Sequence, residues 1–139
     1  MKSVHVNHLD CFELGHNAGV RTVRVTYCSA RDLGGEMVKV SVLYPKQSDT
    51  TFDMSYYVNS HIKMVQQLLG TRLKGVAVEE GISGIQPGSS PSYAAMGHLL
   101  FESVADFQAS FGLHAQTIVG DIPNYTNSQP IIQISEVKL

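Results

Sequence analysis

From residue 53 to residue 69 the apolar positions return with a helical period. At about 100° per residue, Met54, Val58, Ile62, Val65, Leu68 and Leu69 share one sector, and Ser55, Tyr56, Asn59, Ser60, Lys63, Gln66 and Gln67 take the opposite side. Asp53 supplies an N-cap and Gly70 a C-terminal stop, so the stretch predicts an amphipathic helix with marked ends. Alternation takes over in residues 37–45, where Val38, Val40 and Val42 face one way, Lys39, Ser41 and Leu43 the other, and Pro45 ends the run. Residues 73–79 predict a second strand with Val76 and Val78 on one face. Residues 93–102 predict a third, with Ala94, Met96, His98 and Leu100 on one face and Ala95, Gly97, Leu99 and Phe101 on the other. Ser103 then opens a second helix, from 104 to about 119, with Asp106 placed for a variant of the capping box. Its inner stripe is Val104, Phe107, Phe111, Ala115 and Ile118, and Gly112 is a point where it can bend. Residues 121–127 form a turn and 130–137 a last strand. Residues 81–92, rich in glycine, proline and serine, read as a long mobile loop of the kind that often covers a site.

The resulting order, β-α-β-β-α-β, predicts a ferredoxin-like α+β layer. The third strand is apolar on both faces, but one layer of helices covers only one of them. A second copy of the same sheet is the economical cover for the other, which predicts a homodimer whose two sheets face each other around a shared barrel.

Residues 1–36 have a different character and read as an N-terminal extension of a domain spanning 37–139. Residues 1–19 show neither period. Residues 20–27 do alternate, Val23, Val25 and Tyr27 against Thr22, Arg24 and Thr26, which predicts one extra strand at a sheet edge. Residues 31–36 are a loop ending in Gly34, Gly35 and Glu36. A Gly-Gly-Glu ahead of Met37 is also what a purine-rich ribosome-binding sequence would encode, which would make the extension a product of start-site choice. His5, His8, Asp10, Cys11 and His16 fall in this segment, but their spacing follows no specific zinc pattern, so the expectation is a histidine-rich polar tail without metal.

Composition narrows the function classes. A chain of 139 residues with 43% hydrophobic content makes one domain with a sizeable core. A net charge of −2 gives no basic field for nucleic acid and no polybasic patch for a membrane surface. No apolar run approaches the roughly 20 residues of a membrane span, and the first residues lack the basic start and apolar block of a secretory signal. Cys11 and Cys28 do not make a disulfide scaffold, so they read as free thiols in a reducing cytoplasm. There is no Gly-x-Gly-x-x-Gly fingerprint, phosphate-binding loop or nucleophile elbow. No flavin or nicotinamide is expected, and no cofactor is assigned.

The chemistry centres on His61, which falls near the middle of the apolar sector of the first helix. An imidazole there lies either in a core or in an apolar cavity. Its ordinary titration is near pH 6.5, and burial favours the neutral form, which can accept a proton. Tyr57 lies one turn earlier, close enough to meet it, and either holds a substrate oxygen or packs. Tyr56 points to the polar side. His98, alternating with Met96 and Leu100, lines the same cavity or sits under a helix. Asp121, Asn124 and Tyr125 form a polar turn that is either the edge of a site or an ordinary turn. His114 is expected at the surface.

Five stretches resemble the EthD family: MVKVSVLYP, TFDMSYYVNSHIKMVQQLLG, GHLLFES, DIPNYTN and PIIQISEV, together spanning residues 37–137. The family is named for a protein linked to ethyl tert-butyl ether degradation. The most specific elements are Tyr56, Tyr57 and His61 together with the late Asp-Ile-Pro-Asn-Tyr-Thr-Asn run; residues 1–36 have no counterpart. The resemblance implies a dimeric α+β barrel. Relatives sharing that barrel include cofactor-free monooxygenases, muconolactone-type isomerases and polyketide-modifying proteins. It therefore points to a cofactor-independent oxidoreductase or isomerase acting on a small apolar or aromatic oxygenated compound. His61 would be the acid/base, and Tyr57, His98, Asp121 and Tyr125 would contact the substrate. The alternative is a dimer that binds or carries such a compound without turning it over. Haem fits this barrel class with His61 or His98 as axial ligand, but nothing in the sequence selects it.

Overall fold

The computed structural model describes residues 37–139. The expected strand at 20–27, the histidine-bearing tail and both cysteines lie outside the described residues. The strands are β1 (Val38–Pro45), β2 (Gly75–Glu80), β3 (Tyr93–Phe101) and β4 (Ile131–Glu136). They form one antiparallel sheet in the order β2-β3-β1-β4. That order, with one helical crossover after β1 and another after β3, is the ferredoxin-like α+β layer expected from the pattern.

The first helix covers residues 54–69 and starts at Asp53, whose carboxylate accepts the Tyr56 N–H. It stops at Gly70, held at φ +58, a conformation that favours glycine. The second helix, Val104–Gly120, starts at Ser103, whose hydroxyl accepts the Asp106 N–H and donates to the Asp106 carboxylate. It runs through Gly112 without a break. Its inner side is built by Phe107, Ser110, Phe111 and Ile118; Val104, expected on the inner stripe, is 39% exposed at the first turn, and His114, expected at the surface, is half-buried.

Both helices lie on the face of the sheet that carries Val38, Val40, Leu99 and Phe101, against Val65, Leu69 and Ile118. A second apolar cluster follows on the same face toward the other end of the strands: Tyr44, Tyr57, Ile62, Ala95 and Tyr125. The opposite face carries Ser41, Leu43, Met96, His98 and Leu100, in the register Ser41 to His98 and Leu43 to Met96. No helix among the described residues is long and apolar enough to cross a membrane.

Candidate functional site

The first helix is not α-helical throughout. Met54–Tyr56 and Ile62–Leu69 are, but Tyr57–His61 between them is a π turn, closed by the Ile62 N–H donating to the Tyr57 carbonyl five residues back. Such a turn holds more residues than 3.6, so the inward face shifts in phase as the helix passes through it. Val58, which a uniform helical period places inside, is 40% exposed, whereas Tyr57 is 2% exposed. Val58, Asn59 and Ser60 bulge toward solvent, and Tyr57 and His61 both turn inward. Their rings stack 5.5 Å apart at 16°.

The remaining groups arrive from the end of the second helix. Asp121 caps that helix and leads into a 3₁₀ turn, Ile122–Asn124, followed by Tyr125. This segment is stitched to the chain ahead of the first helix. The Asp53 N–H donates to the Tyr125 carbonyl at 2.7 Å, the Thr51 N–H to Asn127 Oδ1 at 2.9 Å, and the Thr126 hydroxyl to the Thr51 carbonyl at 2.7 Å. The stitching brings Asp121 and Tyr125 to opposite edges of the His61 ring. Asp121 Oδ2 lies 2.8 Å from Nδ1, and the Tyr125 hydroxyl lies 3.4 Å from Nε2. Asp121 Oδ1 also accepts from the Tyr56 hydroxyl at 2.9 Å and from Asn124 Nδ2 at 2.8 Å. On the far side, the Tyr44 and Tyr125 hydroxyls meet at 2.7 Å.

These contacts set the protons. Burial alone would raise the Asp121 carboxyl, but hydrogen bonds from Asn124, His61 and Tyr56 outweigh it and hold the group below its ordinary range. Asp121 is therefore ionised at neutral pH and only accepts. Burial pushes His61 down, and this exceeds the upward pull of Asp121. The ring is thus neutral at pH 7, and its one N–H sits on Nδ1, facing the carboxylate. Nε2 keeps its lone pair. Tyr125 donates to it, and Tyr44 donates in turn to Tyr125. The three inner phenols stay protonated, because burial drives Tyr44, Tyr57 and Tyr125 above the usual tyrosine range. Among the described residues, no buried side-chain nitrogen or oxygen lacks a partner.

Of the residues expected to contact a substrate, Tyr57, Asp121 and Tyr125 surround His61. His98 does not, because it lies on the opposite face of the sheet. There it is 2.9 Å from the Ser41 hydroxyl through Nδ1 and 3.6 Å from Glu79 through Nε2. Between core and cavity, the structure places His61 in a core: it is 5% exposed and packed between Tyr57 and Tyr125, whose ring centroid is 4.7 Å away. Tyr125 also lines a solvent-facing cleft of about 420 Å³, together with Thr51, Phe52, Asn124 and Asn127.

Two members of the network were missing from the sequence-based set. Tyr56 is not on the polar side; it is half-buried, its ring stacks on Tyr125, and its hydroxyl binds Asp121. Tyr44 is 1% exposed at the end of β1. Extending the β1 alternation by one step, from Val42 to residue 44, puts a phenol on the inner face, and that signal was available. Among the described residues no cluster of three or more histidine, cysteine, aspartate or glutamate side chains could hold a metal ion.

The model of the EthD domain matches residues 45–129. This chain belongs to the EthD family. An EthD-like protein from Ralstonia eutropha JMP134 is 38% identical and superposes with a TM-score of 0.73, over 76% of this chain and 95% of that one. Two more distant structures share the fold. An EthD family protein from Bacillus halodurans C-125 is 16% identical with a TM-score of 0.52, over 73% of this chain and 99% of that one. A hydroxynitrile lyase from Passiflora edulis is 14% identical with a TM-score of 0.52, over 75% and 95% respectively. No protein of curated function matches the chain.

Proposed function

We propose that this EthD protein is a cofactor-independent acid/base catalyst, an isomerase or oxidoreductase, for a small apolar or aromatic oxygenated compound. His61 takes the proton. The observation that carries this reading is the asymmetry of the imidazole: Nδ1 is held by Asp121 at 2.8 Å, while Nε2 has only a contact of 3.4 Å. Hydrogen bonds of this type run about 2.7–3.2 Å, so Nε2 is the least engaged atom of the network. A proton passing from a substrate O–H or activated C–H to Nε2 makes an imidazolium, and the Asp121 carboxylate stabilises that charge. Returning the proton to another substrate atom is isomerisation. Where dioxygen is the co-substrate, the carbanion left by C–H abstraction forms a C–O bond to it with a two-electron reduction to the peroxide anion, and the imidazolium returns its proton to give the hydroperoxide.

The chain is also proposed to act as a homodimer. Leu43, Met96 and Leu100 lie on the sheet face without helices, and Ile131, paired with Leu43 on the outer strand β4, shares that face and is 52% exposed. A second copy packed on that face would bury these side chains. Sedimentation equilibrium reporting a monomer at micromolar concentration rejects this.

One test of the chemistry is deuterium exchange. Small aromatic carbon acids incubated with the protein in D2O should lose C–H signal, and His61→Ala should abolish the exchange while keeping a cooperative unfolding transition. A second reading, a carrier without turnover, is favoured by the packing of the ring on both sides. It predicts no exchange with any compound and a loss of ligand affinity in His61→Ala.

A further inference from the structure

Tyr125 belongs both to the contacts of the imidazole and to the wall of the open cleft. Its hydroxyl is 3.4 Å from His61 Nε2 and 2.7 Å from the Tyr44 hydroxyl, and the residue also lines the cleft beside Thr51, Phe52, Asn124 and Asn127. Tyr57 and Asp121, which also contact His61, are not in the cleft wall. A phenol is therefore already held at the acceptor nitrogen, with its oxygen given a second partner by the Tyr44 O–H. The Tyr125 backbone is pinned independently: its N–H donates to the Ile122 carbonyl at 3.1 Å and its carbonyl accepts from the Asp53 N–H. The turn that presents Asp121 is therefore held by backbone bonds that do not involve the Tyr125 side chain, which is 3% exposed.

We propose that Tyr125 is an internal occupant of the ligand position. The ligand is itself a phenol or an enol, which enters from the cleft, displaces the Tyr125 side chain, and sets its own oxygen between His61 Nε2 and the Tyr44 hydroxyl. This rests on the reading of His61 as proton acceptor. The same geometry gives specificity, because a ring without a hydroxyl would leave both Nε2 and the Tyr44 O–H unpaired in a buried site. Displacement also explains how an imidazole packed between two rings can serve a ligand at all.

The probe is p-cresol, which is the tyrosine side chain without its backbone, titrated into the full chain. Binding is read by equilibrium dialysis and by the ¹⁵N resonance of His61 Nε2. Wild type should bind weakly and saturably. Tyr125→Phe keeps the ring but gives up both hydrogen bonds, so the internal competitor is weakened and p-cresol should bind about tenfold tighter or more. Toluene should bind neither. In Tyr125→Ala, p-cresol should return the Nε2 resonance to its wild-type position and toluene should not. Equal p-cresol affinity in wild type and Tyr125→Phe overturns the proposal, as does saturation without movement of the Nε2 resonance. Tenfold tightening without deuterium exchange in any carbon acid supports displacement and removes catalysis. Exchange with equal affinities overturns displacement and leaves the acid/base role standing.

Discussion

At one end of the sheet, Val38, Val40, Leu99 and Phe101 meet Val65, Leu69 and Ile118 through carbon alone. At the other end, the Tyr125 hydroxyl meets His61, the Tyr44 hydroxyl meets that of Tyr125, Tyr57 stacks on the imidazole, and the Asp121 carboxylate closes the line. The same strands and the same helix serve both ends. The aliphatic end is an ordinary core, in which area removed from water stabilises without regard to direction. The aromatic end buries comparable rings but adds groups that must be paired one by one, each costing free energy when a partner is missing. A fold needs only the first kind of core. The second is the kind expected where proton position matters.

If the two ends are separable in this way, Phe101→Ala should cost about 3–5 kcal/mol in urea unfolding. It should leave the His61 resonances unchanged, because Phe101 is fully buried at the aliphatic end. Movement of the His61 signals comparable to that of a site variant would break the distinction.

Gly97→Ala tests the aromatic end by steric means. A Cβ at Gly97 would collide with the Tyr57 hydroxyl, and Tyr57 is stacked on His61. The expected cost is about 1–3 kcal/mol, accompanied by a shift of the His61 ring signals that Phe101→Ala does not produce.

Tyr44→Phe removes a single hydroxyl from the network and should cost about 1 kcal/mol. Its signature is the loss of the donor to Tyr125, seen as an upfield change of the Tyr125 hydroxyl proton. A variant as stable as wild type, with that proton unmoved, would make the Tyr44–Tyr125 bond incidental.

The smallest effect is in the pH dependence. The fold favours the neutral His61 ring, so the unfolded chain binds more protons just below its ordinary pKa of 6.5. Stability should therefore fall as pH drops from 6.5 toward the lower folded value, and fall further when Asp121, also depressed in the fold, begins to protonate below its ordinary range. His61→Phe should flatten the first part of that decline, as followed by melting temperature against pH. Asp121→Asn removes the group that pulls His61 upward, so the His61 titration should move to still lower pH.

Most of the fold was legible in the sequence, because the features that carry it are local. Alternation marks β1 and β3, and Asp53, Gly70 and Ser103 mark helix ends by their own hydrogen-bonding and conformational habits. The site was legible only in part. A uniform period puts Val58 inside and Tyr56 outside, and the π turn reverses both, because its extra residue is a property of the packed helix rather than of any side chain in it. The pairing of His61 with Asp121 spans 60 residues and depends on the hydrogen bonds that fasten the 121–127 turn to the 51–53 segment. No spacing in the sequence announces such a contact. His98 failed to join the site for the simplest reason: alternation assigned its face correctly, but that face is the one turned away from the helices.

The most direct measurement is ¹⁵N NMR of the His61 ring nitrogens across pH 5 to 8. A neutral ring protonated on Nδ1, with Nε2 at the shift of an unprotonated acceptor at pH 7 and a midpoint below 6.5, is the predicted result. A proton on Nε2, or an imidazolium at pH 7, would contradict it and leave Asp121–His61 an ordinary buried pair with no nitrogen free to take a proton.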